Sequence, residues 1–132
     1  MTPPTVRILV VDNYEPFRRV VSSRLGTRPN FQIVGFALDG GEAVRQAREL
    51  RPDLVLLEID LPTLNGIAAA KQIRECTPES KIIFVTHESS DEAMREAFRL
   101  GALGYVVKSK AGIELLPAID AVLGGKIFLG NL

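Results

Sequence analysis

Apolar residues fall in five short runs along the chain, and a segment with helical periodicity follows each run. The runs cover residues 6–11, 31–37, 53–59, 81–86 and 103–107, and their lengths are typical of β-strands. The segments after them, 14–25, 41–50, 65–76, 89–101 and 111–123, carry apolar residues three and four positions apart, as amphipathic helices do. The pattern therefore predicts five strands that alternate with five helices.

Local signals indicate the limits of the last two helices. Ser89 and Glu92 have the spacing of a capping box, so the fourth helix is predicted to begin at Ser89 and to end at Gly101. Pro117 lies inside the fifth helix. If that helix begins near Gly112, the proline falls in or close to the first turn, where it is tolerated; otherwise we expect a kink.

Strict alternation of strands and helices predicts a parallel sheet. Right-handed crossovers then put helices on both faces, which gives an α/β fold with three layers, a (βα)5 sandwich. The third run is almost continuously apolar, as expected for a central strand covered on both sides. In such sheets ligands bind beyond the carboxyl ends of the strands, so the residues that follow each strand are the candidates for a site.

Composition narrows the function classes. The 132 residues suit one domain, and 16 basic residues balance 16 acidic ones, which argues against this segment binding duplex nucleic acid by itself. No apolar run is long enough to span a membrane. Cys76 is the only cysteine, so an internal disulfide is excluded, and we expect a cytoplasmic protein.

Polar residues with complementary chemistry follow four of the predicted strands. Carboxylates that cluster repel one another unless a cation lies between them, which suggests a Mg²⁺ site with oxygen ligands. A hydroxyl and an ammonium beside them could hold an anion such as a phosphoryl group. The residues concerned are Asp12 and Asn13 after the first strand, Glu58 and Asp60 at the third, Thr86 at the fourth, and Lys108 at the fifth.

Each of these residues also has an ordinary structural interpretation. Asn13 is a good N-cap for the first helix. Asp60 precedes a proline turn, where acidic residues are common. Thr86 suits a strand, Lys108 could be a solvated charge, and the single histidine, His87, is typical of a loop. The prediction of a site therefore depends on the joint placement of these residues at successive strand ends.

Four segments, taken together, resemble the receiver domains of two-component response regulators: 8–12 (ILVVD), 52–57 (PDLVLL), 61–66 (LPTLNG) and 101–108 (GALGYVVK). The resemblance implies a CheY-like, flavodoxin-like sheet of order 2-1-3-4-5, with the receiver domain at 5–124 and a tail at 125–132 that begins a linker. Two further features, Lys108-Ser109 and the segment 124–128 (GGKIF), resemble one branch of the family, whose receivers precede a LuxR-type (NarL-like) helix-turn-helix domain. The 132 residues do not include that helix-turn-helix domain.

This resemblance implies a phosphorylation switch that controls transcription. Thr86 and Lys108 would hold the phosphoryl oxygens, and Tyr105 would change rotamer with Thr86. Mg²⁺ would be held by the acceptor, by the acidic pair after the first strand and by the backbone carbonyl at Asp60. The implied partners are a sensor histidine kinase or another regulatory protein, a second copy through the face of helix 4, strand 5 and helix 5, and DNA only through an output domain.

The chain departs from the family pattern at two positions. The acceptor position, four residues before Pro62, is Glu58 instead of aspartate, and the second acid of the first pair is Asn13. An extra methylene moves the carboxylate by about 1.5 Å, and a shift of about 1 Å can cost roughly a hundredfold in rate. We therefore expect weakened Mg²⁺ binding, poor phosphorylation, and a Glu58 carboxylate that partly mimics phosphate and pairs with Lys108.

Several alternatives stay open at this point. Glu58 could still bind Mg²⁺ in an ordinary switch, and Asp60 could be a substitute acceptor, although its place on the loop disfavours that. His87, where the family often has a small residue, could obstruct a phosphodonor. The domain could also be an interaction module that works without phosphorylation.

Two other classes are disfavoured. A flavin or nucleotide domain needs a phosphate-binding loop that residues 12–15 (DNYE) do not resemble. No hydrolase motif is visible, so we predict no enzyme.

Overall fold

A computed structural model describes residues 3–130 and contains five strands and five helices in strict alternation. In chain order they are β1 Val6–Val11, α1 Glu15–Leu25, β2 Phe31–Ala37, α2 Gly40–Leu50, β3 Leu54–Leu57, α3 Gly66–Cys76, β4 Lys81–Thr86, α4 Asp91–Arg99, β5 Gly104–Val107 and α5 Ala111–Leu123, with a 3₁₀ turn at Lys108–Lys110 before α5. The predicted sandwich is confirmed.

The five strands form one parallel sheet in the order β2-β1-β3-β4-β5, as the resemblance implied. The register pairs the last residue of β1, Val11, with the last residue of β3, Leu57. It also pairs Thr86, the last residue of β4, with Val107, the last residue of β5. The carboxyl ends of these strands therefore meet at one edge of the sheet.

Alternate residues of the strands build two cores, one on each face of the sheet. In β1, Leu9 and Val11 pack with α2, α3 and α4, whereas Ile8 and Val10 pack with α1 and α5. All four residues of β3 are buried, as its central position requires. The two cores fix the sheet from both sides and leave its carboxyl edge available for a site.

Four of the predicted helix starts, those of α1 to α4, differ from the structure by one or two residues, and two of them concern the N-cap. The N-cap of α4 is Ser90, whose hydroxyl accepts a hydrogen bond from Ala93 N–H, so the helix begins at Asp91 and not at Ser89. The N-cap of α1 is Tyr14, not Asn13. At α4 two adjacent serines have suitable spacing, and the sequence alone does not separate them, whereas at α1 the N-cap Tyr14 makes no side-chain cap hydrogen bond.

Helix α5 begins at Ala111 and ends at Leu123, as predicted, and runs as one helix through Pro117. The proline stands in the second turn, where its missing N–H leaves the carbonyl of Ile113 without a helical donor. Ile113 is 83% exposed, so this part of the helix lies at the surface of the domain.

Residues 126–130 turn back and run along the outer side of β5; we call them the C-terminal strap. Gly104 and Phe128 form a parallel bridge, and the ring of Phe128 packs against the core of the α1 and α5 face. The domain boundary after residue 124 stays a prediction, although the strap contacts the domain closely. The last two residues of the predicted tail, 131 and 132, lie outside the described residues.

None of the helices between residues 3 and 130 combines the length and the apolar character that crossing a bilayer requires.

A close approach at the start of α3 yields a stability prediction. A Cβ on Gly66 would lie 2.0 Å from the carbonyl oxygen of Glu58 and 2.7 Å from Cα of Ile59. Because these are backbone atoms that cannot move aside, we expect Gly66→Ala to lower the free energy of unfolding by about 2 kcal/mol or more in urea denaturation.

Gly41→Ala is the matched control for this substitution. Nothing lies closer to its Cβ than Asp39 Oδ1 at 3.5 Å, and it stands in the first turn of α2. Alanine there should be neutral or stabilising by up to about 1 kcal/mol. Equal stabilities for the two variants would contradict the proposed contact.

Candidate functional site

The candidate site lies at the carboxyl edge, where β1, β3, β4 and β5 end side by side. Asp12 and Glu58 each follow the last residue of a strand, Thr86 ends β4, and Lys108 follows β5. The Lys108 ammonium lies 2.8 Å from Asp12 Oδ2 and 3.0 Å from Glu58 Oε1. The structure thus brings together four residues that are far apart in the sequence.

Glu58 is the centre of this arrangement and is only 2% exposed. Its Oε2 accepts hydrogen bonds from the Thr86 hydroxyl, from Ile59 N–H at 2.6 Å and from Asp60 N–H at 3.1 Å. Its Oε1 contacts Lys108 Nζ. Both carboxylate oxygens are therefore bound to donors of the protein itself.

The donors around Glu58 stabilise its charged form. Burial is the largest single influence and favours the neutral acid, but the hydrogen bonds from Thr86, Lys108 and the Asp60 backbone, with the charge of Lys108, outweigh it and lower the pKa of Glu58. Burial likewise opposes the charge of Lys108, yet Asp12 and Glu58 raise the pKa of Lys108 above its usual value. The site is therefore an ionic cluster in which Glu58 and Lys108 stabilise the charged form of each other, with Asp12 as the second partner of Lys108.

Asp12 joins this cluster to the start of α1. Its Oδ1 accepts a hydrogen bond from Tyr14 N–H at 2.9 Å, while its Oδ2 faces Lys108. The carbonyl of Asp12 accepts from the Arg18 guanidinium at 2.9 Å. Phe17, from the same helix, lies with its ring centroid 4.6 Å from Lys108 Nζ and provides a cation–π contact.

Phe17 and Arg18 are site residues that the sequence pattern did not reveal. Phe17 occupies an apolar position of a helix, and a residue with that spacing is more often part of the core. Arg18 acts through a backbone carbonyl, and a sequence motif carries no signal for such a contact.

The remaining predicted residues line the mouth of the site, an open cavity of about 590 Å³. Asn13 is exposed there, and the side chain of Asp60 is 71% exposed. His87 lies between two carboxylates, with Nδ1 3.3 Å from Glu58 Oε1 and Nε2 3.5 Å from Asp60 Oδ2. It therefore stands on the path from solvent to Glu58.

The carboxylates of the predicted cation site are paired with a lysine. Within residues 3–130, no group of three or more histidine, cysteine, aspartate or glutamate side chains is arranged to hold a metal ion. The Lys108 ammonium occupies the space between the carboxylates of Asp12 and Glu58, and the neutral Asn13 supplies no further charge. Lysine thus supplies one positive charge between these carboxylates, and the Mg²⁺ site at Asp12, Asn13, Glu58 and Asp60 stays a prediction.

Tyr105 connects the site to the loop that follows β4. Its ring is fully buried, and its hydroxyl donates to the carbonyl of Glu88 at 2.8 Å. Burial, with the charges of Glu88 and Glu58, raises the pKa of Tyr105 to about 12. The N–H of Glu88 in turn donates to the Thr86 hydroxyl oxygen at 3.2 Å, so Tyr105 is two hydrogen bonds from Thr86.

Comparison with known proteins identifies one domain family and several relatives. Residues 8–120 match the family model of the response regulator receiver domain. The chain is 36% identical over 126 residues to the DNA-binding transcriptional activator DevR/DosR of Mycobacterium tuberculosis, a match of 96% of this chain and 58% of that protein. It is 38% identical over 117 residues to a protein-glutamate methylesterase/protein-glutamine glutaminase of Thermotoga maritima, covering 87% of this chain and 34% of that one.

A solved structure shares both the fold and the sequence. The crystal structure of a LuxR-family two-component response regulator from an Aurantimonas species superposes with a TM-score of 0.89 at 36% identity, over 94% of this chain and 89% of that one. The chain spans less than three fifths of the length of the curated regulators it matches. The rest of the length of those curated regulators lies beyond the matched region.

The lowered pKa of Glu58 gives a pH prediction. A carboxyl group whose pKa is lower in the folded than in the unfolded chain stabilises the fold above its unfolded pKa, about 4.3, and loses that contribution as the pH falls through the folded pKa. Glu58→Gln lacks the contribution at every pH. The difference in unfolding free energy between wild type and Glu58→Gln should therefore shrink between pH 7 and about pH 3 in urea denaturation; a constant difference would contradict it.

Removal of the cation tests the buried cluster. Lys108→Met leaves the carboxylates of Asp12 and Glu58 buried beside each other without a counter-charge. We expect this variant to lose about 3–5 kcal/mol of unfolding free energy at pH 7. The control is Glu79→Gln, which breaks an ion pair with Arg51 whose side chains are 61% and 57% exposed, and should cost less than about 1 kcal/mol. Similar losses in both variants would show that the cluster is not electrostatically essential.

Proposed function

Since the chain belongs to the family of response regulator receiver domains, we propose that it acts in two-component signal transduction as a receiver whose anion site is filled by its own Glu58. The observation that carries this proposal is the pair of contacts from Thr86 and Lys108 to the Glu58 carboxylate. In the family these two residues are expected to hold phosphoryl oxygens. Here the same donors bind a carboxylate that one additional methylene brings within their reach.

This arrangement is poorly suited to phosphoryl transfer. An acceptor carboxylate must offer a lone pair to phosphorus, but the oxygens of Glu58 are already engaged by Ile59 and Asp60 N–H, by Thr86 and by Lys108. The side chain is almost completely buried, and His87 stands at the mouth. A phosphodonor would have to displace this histidine and break the ion pair with Lys108.

Magnesium chemistry is not part of the proposed mechanism. Receivers of this family typically use Mg²⁺ to neutralise the acceptor and the incoming phosphoryl group. The Lys108 ammonium already neutralises one of the two buried carboxylates, and Asn13 takes the place of an acid. The chain therefore holds a permanent anion with a permanent cation, and the site has no need of an ion from solution.

Tyr105 connects Glu58 to the surface through which the domain would contact its partners. Its buried ring and its bond to the Glu88 carbonyl keep the loop after β4 in one arrangement, and the charge of Glu58 supports that arrangement through Thr86. We propose that the face of α4, β5 and α5 is thereby presented constantly to a sensor kinase, another regulatory protein or a second copy of the chain. The relationship to DevR/DosR and to the LuxR-family structure supports control of transcription through a LuxR-type output domain.

A small phosphodonor tests the proposal. Wild type, Glu58→Asp and the double variant Glu58→Asp/Asn13→Asp are incubated with acetyl phosphate and Mg²⁺, and the intact mass of each is measured. We expect no phosphoryl adduct on wild type. The double variant should acquire one, because aspartate shortens the acceptor and the second acid restores the charge that attracts Mg²⁺.

Peptide mapping identifies the modified residue. A stable adduct on Glu58 or Asp60 of the wild type would reject the proposal and favour an ordinary switch. Absence of an adduct from every variant would also count against it, because the other residues of the pocket would then not support phosphorylation even with an aspartate. Glu58→Gln, which has no carboxylate at that position, is the control for labelling elsewhere.

A further inference from the structure

Phe17, in the first turn of α1, lies against the ammonium of Lys108. Its ring centroid is 4.6 Å from Lys108 Nζ, a distance at which the face of an aromatic ring attracts a cation. The same ammonium lies 2.8 Å from Asp12 Oδ2 and 3.0 Å from Glu58 Oε1. Lys108 therefore contacts two carboxylates and one aromatic ring, and its side chain is only 17% exposed.

Asp12 holds both the ammonium and the turn that carries the ring. Its Oδ1 accepts a hydrogen bond from Tyr14 N–H at 2.9 Å, and its carbonyl accepts from Arg18 Nη1 at 2.9 Å. Phe17 lies between these two anchored residues, and its N–H donates to the carbonyl of Tyr14 at 3.1 Å. Because Asp12 Oδ2 binds Lys108, one residue sets the position of the ring relative to the ammonium.

The ring favours one position of a flexible side chain. Lysine has a long stem with several rotatable bonds, so ion pairs alone do not restrict its ammonium to a single place. Lys108 lines the open cavity of about 590 Å³, which gives the ammonium room to move toward water. Phe17 is half-buried against the core of α1 and α5, and a cation–π contact is strongest where water is excluded. The ring therefore stabilises the ammonium where it also contacts Asp12 and Glu58.

We propose that Phe17 is a positioning residue, which holds the Lys108 ammonium against Asp12 and Glu58 and disfavours its movement into the open cavity. The inference rests on the proposed function in taking Lys108 as the permanent partner of Glu58. It gives an apolar residue of α1 a part in keeping the anion site filled by the chain itself.

Packing alone is the alternative role for this ring, and the chain offers a matched control. Phe31 packs against the same core as Phe17, and the Arg28 guanidinium lies 5.5 Å from the centroid of the Phe31 ring. Leucine at either position keeps an apolar side chain and removes the aromatic face. Phe31→Leu therefore removes a cation–π contact and core packing without touching the contact to Lys108.

Hydrogen exchange of the Lys108 ammonium with water measures how firmly it is held. The full chain is produced with isotope-labelled lysine for nuclear magnetic resonance, and Lys108→Met identifies the signal by its loss. We expect exchange about fivefold faster in Phe17→Leu than in wild type, since the ammonium leaves the carboxylates more often. Its protons should also shift downfield, because the ring no longer shields them.

Conservative variants separate the cation–π contact from packing. Phe17→Tyr keeps the aromatic face and should exchange within about twofold of wild type, as should Phe31→Leu. A trifluorinated phenylalanine in place of Phe17 keeps the ring shape and weakens its negative face, so exchange should again be faster. This variant serves if leucine unfolds the domain.

Three results would overturn the inference. The first is equal exchange at Lys108 in Phe17→Leu and Phe31→Leu, the second is a Phe17→Tyr variant that exchanges as fast as Phe17→Leu, and the third is unchanged exchange in the fluorinated protein. The outcome is separate from that of the phosphodonor assay. A phosphoryl adduct on wild type would reject the proposed role of Glu58 and leave the exchange rates of Lys108 as measured.

Discussion

A carboxylate buried at the carboxyl edge of the sheet imposes the main constraint on this structure. Removing Glu58 from water has a large unfavourable free energy, and the fold must offset it with donors supplied by several elements. The hydroxyl comes from the end of β4, the ammonium from the residue after β5, and two N–H groups from the loop after β3. The strand order matters because it makes β1, β3, β4 and β5 successive neighbours, which places those ends side by side. The ionic cluster and the sheet topology are therefore mutually dependent.

One methylene separates glutamate from aspartate, and its effect here is geometric as much as electrostatic. The longer side chain lets the carboxylate of Glu58 reach the Thr86 hydroxyl and Lys108 without any added group. We propose that a shorter acid would leave these two donors without a partner, and the phosphodonor assay on Glu58→Asp addresses this directly.

Much of this architecture could be predicted from the sequence, because its signals are strong where burial is complete. β1, β2 and β4 have the predicted limits, whereas β3 was predicted one residue too long at its start and two at its end, and β5 one residue too long at its start. The sheet order came from family resemblance.

The N-caps of two helices were predicted one residue too early. The N-cap of α4 is Ser90 and not Ser89, and that of α1 is Tyr14 and not Asn13. Phe17 was missed as a contact of Lys108 because its helical spacing is that of any core residue. The roles of the site residues stay predictions.

The two tyrosine rings of the chain occupy opposite environments, so the intrinsic fluorescence of the protein can report on the position of one of them. There is no tryptophan, so near-ultraviolet absorption and emission come mainly from Tyr14 and Tyr105. Tyr14 is 60% exposed, whereas Tyr105 is fully buried, with its ring centroid 6.3 Å from that of Phe84. A soluble quencher reaches the first ring and is excluded from the second. Any event that turns Tyr105 outward therefore changes the quenchable fraction of the emission, and the rearrangement of β5 can be followed in the unlabelled protein.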